Sequence, residues 1–324
     1  MAVYTSLSAA EINAFLQKFG WTDASHIQAT DSGIENTNYF VSARHPDGQI
    51  TELVLTLFES MPASELPYFI QLTRHLANLN LPVPCPCGDQ HHQTLHFLQH
   101  KPAILVPRFQ GHHPHQPSLE QCRVIGNALA RIHIASDDFQ ARRENDRGSP
   151  WRRKACETLR HQMPPDQHTL LNQQLMDWEN QLPEIRQLPQ GITHGDLFRD
   201  NALFDNDTLT GIIDFYNACH DVFVYDLAVL VNDWCLKTDA TLDSTRYDAV
   251  LQSYQQIRTL TPAEQAFWPA MLRFATVRFW LSRLLSWHRP DGTPEKNDVT
   301  QKNPDEMHQR LLMHLSTNPR RLPI

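Results

Sequence analysis

Apolar residues at helical spacing open the chain. Ile12, Phe15 and Leu16 follow Ser8-Ala9-Ala10-Glu11, whose serine and glutamate three apart form a capping box. The period then shortens. Residues 27–32, 39–43 and 53–58 read as strands, with Pro46-Asp47-Gly48 as the turn between the last two. Residues 64–79 return to helical spacing, with Pro67 tolerated in the first turn and Leu81-Pro82-Val83-Pro84 ending the helix. Two more strands fit residues 94–98 and 103–109. From there helical periods dominate. Ser118-Leu119-Glu120-Gln121 is a second capping box ahead of a helix at 124–134. Helices are expected at 151–162 and at 168–182, the latter stopped by Pro183. More follow at 225–236 and 246–257. Thr261-Pro262-Ala263-Glu264 caps a long helix that Pro269 should kink or divide. Asn303-Pro304-Asp305-Glu306 starts the last helix, and the polar stretch 140–149 is expected to be a loop. Two short apolar pieces interrupt the helices: Ala202-Leu203-Phe204, then Leu209 with Ile212-Ile213. They suit a hairpin about Asp205-Asn206-Asp207, with Thr210-Gly211 as a further turn signal. The pattern predicts an α+β fold, with a small antiparallel sheet first and a mainly helical remainder.

The hairpin carries the chemistry. His194-Gly195-Asp196-Leu197-Phe198-Arg199-Asp200-Asn201 precedes it, and Ile212-Ile213-Asp214-Phe215 follows. An aspartate, an asparagine five residues on and a second aspartate after a short strand are what phosphoryl transfer from a magnesium nucleotide needs. Asp196 can accept a proton from a substrate hydroxyl, while Asn201 and Asp214 can hold the metal. An ordinary polar turn would explain His194-Gly195-Asp196 alone, but not its company. Protein kinases carry Arg where Gly195 stands. His194 is expected to pack and hold the loop, and Asp226 to hydrogen-bond its backbone. Arg199 could touch a phosphate or close a salt bridge within the loop.

His-Gly-Asp-x-x-x-x-Asn followed by Ile-Asp-Phe, with Asp226-Leu227-Ala228 downstream, resembles the aminoglycoside phosphotransferase-like superfamily of small-molecule kinases. Within it the chain is similar to the homoserine kinases. That likeness runs through Gly33-Ile34-Glu35-Asn36-Thr37-Asn38-Tyr39-Phe40, Leu53-Val54-Leu55-Thr56-Leu57-Phe58-Glu59, Val231-Asn232-Asp233-Trp234 and Arg278-Phe279-Trp280-Leu281-Ser282-Arg283-Leu284.

The resemblance implies a two-lobed, protein-kinase-like fold, with residues 1–110 as the N-lobe and 111–324 as the helical C-lobe. It implies ATP and Mg2+ as cofactors and transfer to the hydroxyl of L-homoserine. Ser32, Gly33, Asn36, Thr37 and Asn38 would cover the nucleotide phosphates, and backbone near Phe109 would meet the adenine edge. Asp233, Arg278 and Arg283 are candidates for the zwitterionic head of the acceptor, although salt bridges between helices explain them equally well. One departure stands out. The third strand of a kinase usually carries a lysine, and here Thr56 occupies that place. Backbone donors and metal must compensate, or Arg44 or Arg74 must move in. Two alternatives remain open: another small-molecule or Ser/Thr kinase of the superfamily, and a nucleotide-binding regulator without catalysis.

Composition narrows the rest. The 324 residues are 41% apolar and 20% charged, with net charge −8. No run of about 18 apolar residues suggests a membrane span. Lys and Arg form no long blocks, which argues against nucleic acid as a partner. No basic region followed by an apolar stretch opens the chain, and its six cysteines do not form a disulfide scaffold, so the cytoplasm is the expected compartment. Cys85-Pro86-Cys87 with His91 and His92 lacks the usual zinc spacing, and His112, His113 and His115 read as a solvated loop. Oligomeric state is left open.

Overall fold

The computed structural model describes residues 4–30, 36–237, 239–288, 302–317 and 321–323. The chain divides into two compact units. One comprises residues 1–111 with 210–213, the other 112–209 with 214–324.

The first unit begins with α1 (Ala9–Gln17), whose Ser8–Glu11 capping box is fully formed. Strands β1 (Asp23–Ala29), β2 (Asn36–Arg44) and β3 (Ile50–Phe58) lead to α2 (Leu66–Asn78), then β4 (His96–Leu98) and β5 (Lys101–Pro107). They form one antiparallel sheet in the order β1-β2-β3-β5-β4. Alternation along the strands sends Tyr39, Val41, Leu53, Leu55, Leu57, Ala103 and Leu105 to a buried cluster with Ile12, Phe15 and Leu16 of α1. The register sets Asn38 opposite Thr56.

The second unit is mainly helical. In chain order it holds α3 (Leu119–Ile134), α4 (Ser149–Thr158), α5 (Pro165–Ile185), β6 (Gln190–Thr193) and β7 (Ala202–Asp205). Then come β8 (Thr208–Ile212), whose residues 210–212 belong to the first unit, and β9 (Cys219–Val222), α6 (Phe223–Trp234), α7 (Ser244–Ile257), α8 (Pro262–Trp287) and α9 (Asp305–Ser316). Every residue of α6 is buried, so it forms the axis on which α8, β6 and β9 pack. β6 pairs with β9, and β7 with β8.

Three expectations are corrected. Pro183 lies inside α5, which continues to Ile185; burial of Ile185 and Trp178 carries the last turn past the proline. Pro269 does not divide α8. The helix is buried on several sides between Trp268 and Leu284, and this packing outweighs one lost backbone hydrogen bond. Thr210 and Gly211 belong to strand β8 rather than to a turn. A Cβ on Gly211 would stand 2.6 Å from the Phe109 ring, so glycine here answers close packing. The boundary between the units falls within β8.

Candidate active site

Strands β6 and β9 hold two loops side by side. His194-Gly195-Asp196 leaves the end of β6, and Asp214-Phe215-Tyr216-Asn217 leads into β9. Thr193 Oγ1 donates to Cys219 O at 3.1 Å across the pair.

A buried carboxylate fixes the first loop. Asp226 on α6 accepts from His194 N at 2.7 Å and from Gly195 N at 2.9 Å. His133 Nε2 lies 3.1 Å from Asp226 Oδ2, and His133 Nδ1 lies 2.6 Å from Tyr254 OH. Arg258 Nη1 donates to Tyr254 OH at 3.1 Å and pairs with Glu264 at 2.9 Å. With the Nε2 proton on His133, donors and acceptors match from Asp226 through His133 and Tyr254 to Arg258. Burial alone would raise the Asp226 carboxyl. The hydrogen bond and charge of His133, His194 and the loop backbone overcome it and hold Asp226 below the usual carboxylate range. Burial pushes the His133 imidazole down.

Gly195 has φ +76°, and a Cβ there would meet Asn217 O at 2.7 Å. That closeness explains why glycine stands where a protein kinase has arginine. Asp214 adopts the left-handed region, φ 61° and ψ 60°, which is sparsely populated for a residue other than glycine and marks stored backbone strain. Phe215 is buried with its ring 4.5 Å from that of His194, so the two loops share one packing contact.

Asp196 stands between the loops. Its backbone N donates to His194 Nδ1 at 3.3 Å, and its Oδ2 accepts from Asn217 Nδ2 at 3.4 Å. Burial pushes the Asp196 carboxyl up to about 7; Arg278 and Lys302 pull it down, and Asp214 and Asp200 push it up. Asn201 Nδ2 donates to Asp196 O at 2.8 Å, so its amide is oriented with the carbonyl oxygen on the other side. An amide oxygen from Asn201 and a carboxylate from Asp214 are the donor types that would suit a hard divalent cation. Among the described residues no cluster of three or more His, Cys, Asp or Glu could enclose a metal by itself. All six cysteines are free.

Three further residues brace the Asp196–Asn201 segment. Asp233 accepts from Arg199 N at 2.8 Å and from Arg199 Nε at 3.0 Å, and Arg199 Nη1 donates to His115 O at 2.6 Å. Trp234 Nε1 donates to Leu197 O at 3.0 Å. Asp233 is therefore committed to the loop, which corrects the expectation that it receives an acceptor ammonium, and Arg199 is ion-paired. Arg283 is corrected likewise: it pairs with Glu306 at 2.7 Å and donates to Asn303 O, tying α8 to the start of α9. Arg278 Nη2 donates to Asn217 Oδ1 at 2.9 Å. The histidine-rich segment braces the hairpin: His112 pairs by backbone with Phe204, and His113 Nδ1 lies 3.0 Å from Ala202 O. Asn217 and Lys302, which pairs with Asp200, escaped the sequence reading. Asn217 had a signal, its position three residues after Asp214; Lys302 had none.

In the sheet-bearing unit, Thr37 is fully buried. Its hydroxyl donates to Glu59 at 2.6 Å and accepts from Tyr4 N and Thr5 N, so its side chain has no capacity left for a phosphate, contrary to expectation. Thr56 Oγ1 donates to Asn38 Oδ1 at 2.7 Å. Arg44 pairs with Asp23 on the sheet edge. Asn36 opens β2, and Phe109 packs on Gly211. Ser32 and Gly33 lie outside the described residues.

A profile of the phosphotransferase enzyme family matches residues 26–260. The chain is 40% identical over 314 residues to a homoserine kinase of Methylobacillus flagellatus, covering 97% of this chain and 95% of that one. It is 39% identical over 311 residues to a homoserine kinase of Pseudomonas aeruginosa, covering 96% of each. Among solved structures, an amicoumacin kinase in complex with AMP-PNP and Ca2+ aligns with a TM-score of 0.69 at 13% identity, covering 95% of this chain and 92% of that one. A choline kinase from Cryptosporidium parvum aligns with a TM-score of 0.62 at 13% identity, covering 90% and 88%. The fold is kinase-like, and the chain belongs to the phosphotransferase enzyme family and, within it, to the homoserine kinases.

Proposed function

We propose that the chain transfers the γ-phosphate of ATP to the side-chain hydroxyl of L-homoserine, giving O-phospho-L-homoserine on the route to threonine. The observation that carries this reading is identity of about two residues in five to homoserine kinases over almost the whole chain.

Asp196 is the base. It holds the acceptor hydroxyl in line with the γ-phosphorus and takes its proton as the new P–O bond forms and the bond from that phosphorus to the β–γ bridging oxygen breaks, releasing ADP. Asn201 and Asp214 would hold a divalent ion, magnesium in this reading, which would supply charge neutralisation on the phosphates. Asp226, His133 and Asp233 act through the loop backbone, keeping Asp196 and Asn201 in place. On the other unit, Asn36, Asn38 and the segment containing Ser32 and Gly33 serve the nucleotide phosphates, with backbone beside Phe109 for the base. The enzyme works in the cytoplasm. Among the described residues no helix is long and apolar enough to cross a membrane.

A coupled assay of ADP release against a panel of acceptors tests the reading. L-Homoserine should outrun L-serine, choline and kanamycin. Equal rates with choline or serine would defeat the substrate while leaving a kinase. No acceptor-dependent ADP release at all would favour a nucleotide-binding regulator.

A further inference from the structure

Arg278 is a buried arginine, 7% exposed, and like the buried Arg152 and Arg310 it has no ion pair among the described residues, but of these three it alone is hydrogen-bonded to a residue, Asn217, that also holds Asp196. Arg199, Arg258 and Arg283 each contact a carboxylate. Among the described residues Arg278 contacts none. Its guanidinium lies 3.9 Å from the Phe279 ring centre and makes one hydrogen bond, to the neutral amide of Asn217. A cation taken out of water without a contact counter-ion is costly to maintain, and fixed donors in that state favour an anion that arrives later.

The amide in between explains the arrangement. Asn217 gives its carbonyl oxygen to Arg278 at 2.9 Å and its NH2 group to Asp196 Oδ2 at 3.4 Å. Both ends of the carboxamide are used, so its orientation is determined by its two partners. A direct Arg278–Asp196 salt bridge would neutralise the base and occupy the arginine. The carboxamide keeps the two charges apart and fixes their spacing. A Cβ on Gly195 would fall 2.7 Å from Asn217 O, so the loop that carries the base packs closely on the bridge residue.

We propose that Arg278 receives the α-carboxylate of the acceptor, and that Asn217 is the positioning residue that sets the distance from that carboxylate to Asp196. This rests on the homoserine reading and supplies its missing half, the recognition of the acceptor's acid group. The bridge acts as a ruler. L-Homoserine places its hydroxyl one methylene farther from the carboxylate than L-serine does. With the carboxylate on Arg278, the serine hydroxyl stops about 1 Å or more short of the base, a misplacement able to cost about 10²-fold.

The test uses the full-length enzyme and two acceptors with the same hydroxyl-to-amine spacing: L-homoserine and 3-aminopropan-1-ol, which lacks the carboxylate. The readout is the ratio of their kcat/KM values, with L-homoserine amide as a third acceptor that removes only the charge. Wild type should prefer homoserine to both analogues by about 10²-fold or more, because the site's buried cation is left unpaired without the acid. Arg278→Gln should lower homoserine far more than aminopropanol, chiefly through KM, so the ratio collapses. Arg278→Lys should retain part of it. Asn217→Ala should lower kcat for both acceptors, since Asp196 loses its hold. A wild type that uses the amide as well as homoserine overturns the proposal without any variant. Equal losses for both acceptors in Arg278→Gln and Arg278→Lys overturn it too, whether through misfolding or through a purely structural role. Failure of wild type to phosphorylate homoserine at all would instead defeat the functional reading on which the inference rests.

Discussion

Asp226→Asn preserves shape and removes one charge, and its consequences can be worked from the contacts. The carboxylate is inaccessible and accepts from two backbone amides and His133. Asparagine has one acceptor oxygen, so its NH2 group must face a loop N–H or the histidine N–H. His133 is neutral, so the cost is that of leaving a buried donor unsatisfied, about 1–3 kcal/mol. Against a typical total stability of about 5–15 kcal/mol, that is an appreciable share, and in a chain of this length Tm should fall by roughly 2–4 °C. The activity should fall further than stability alone requires, because His194 and Gly195 lose their anchor. A loop shift of about 1 Å at Asp196 is worth about 10²-fold in rate. The assay is thermal unfolding together with kcat at a temperature where the variant remains folded. A double-mutant cycle with His133→Phe should show a coupling of about 1–3 kcal/mol, since the two side chains share a hydrogen bond. Asp226→Asn with Tm and kcat both near wild type would refute the claim that this buried carboxylate holds the catalytic loop.

Gly195→Ala forces a Cβ to within 2.7 Å of Asn217 O at a positive φ, so it should cost about 1–3 kcal/mol in chemical unfolding and depress kcat sharply; an unchanged kcat would show that the two loops move independently. Asp214→Ala should abolish metal-dependent ATP binding, and Asn201→Ala should raise the magnesium concentration needed for half activity, whereas an unchanged magnesium titration in both would remove them from the metal shell. Burial between α6, α8 and α9 pushes the His314 imidazole down to about 3, with its Nε2 2.8 Å from Asn232 Oδ1. The unfolded chain protonates this group near its ordinary value, so the unfolded state binds more protons below about pH 6.5. His314 should therefore take away about 1.4 kcal/mol of stability per pH unit as pH falls from 6.5 towards 3. His314→Gln should flatten that acid limb in urea unfolding, and an identical slope would contradict the assignment.

The elements that local chemistry defines were legible. Three capping boxes, at Ser8, Ser118 and Thr261, open helices where the sequence puts them, because cap and partner lie three residues apart. The strands of the small sheet follow from alternation. Features set by distant contacts were not legible. Pro183 and Pro269 read as breakers, but packing of Ile185, Trp178 and the middle of α8 carries the helices through. Thr210-Gly211 read as a turn, yet the glycine answers the Phe109 ring about a hundred residues earlier in the chain. At the site, the motif residues announce themselves by spacing, whereas the partners that fix them do not. Asp233 reads as a free carboxylate until Arg199, in a loop 34 residues earlier, claims both backbone and side-chain contacts to it. Thr37 reads as a phosphate donor until Glu59 uses its hydroxyl. Arg278 and Asn217 are 61 residues apart, and no sequence pattern joins them.

The central claim is transfer to the homoserine hydroxyl with Asp196 as the base. The direct measurement is to follow γ-labelled phosphate from ATP into product by mass spectrometry, in wild type and in Asp196→Asn, with nucleotide affinity measured alongside. The account predicts label on the side-chain oxygen of L-homoserine in wild type. In the variant it predicts a rate lower by about 10²-fold or more with nucleotide binding nearly kept. Transfer at a near-normal rate in Asp196→Asn, or release of labelled inorganic phosphate at the same rate with and without homoserine, would contradict it.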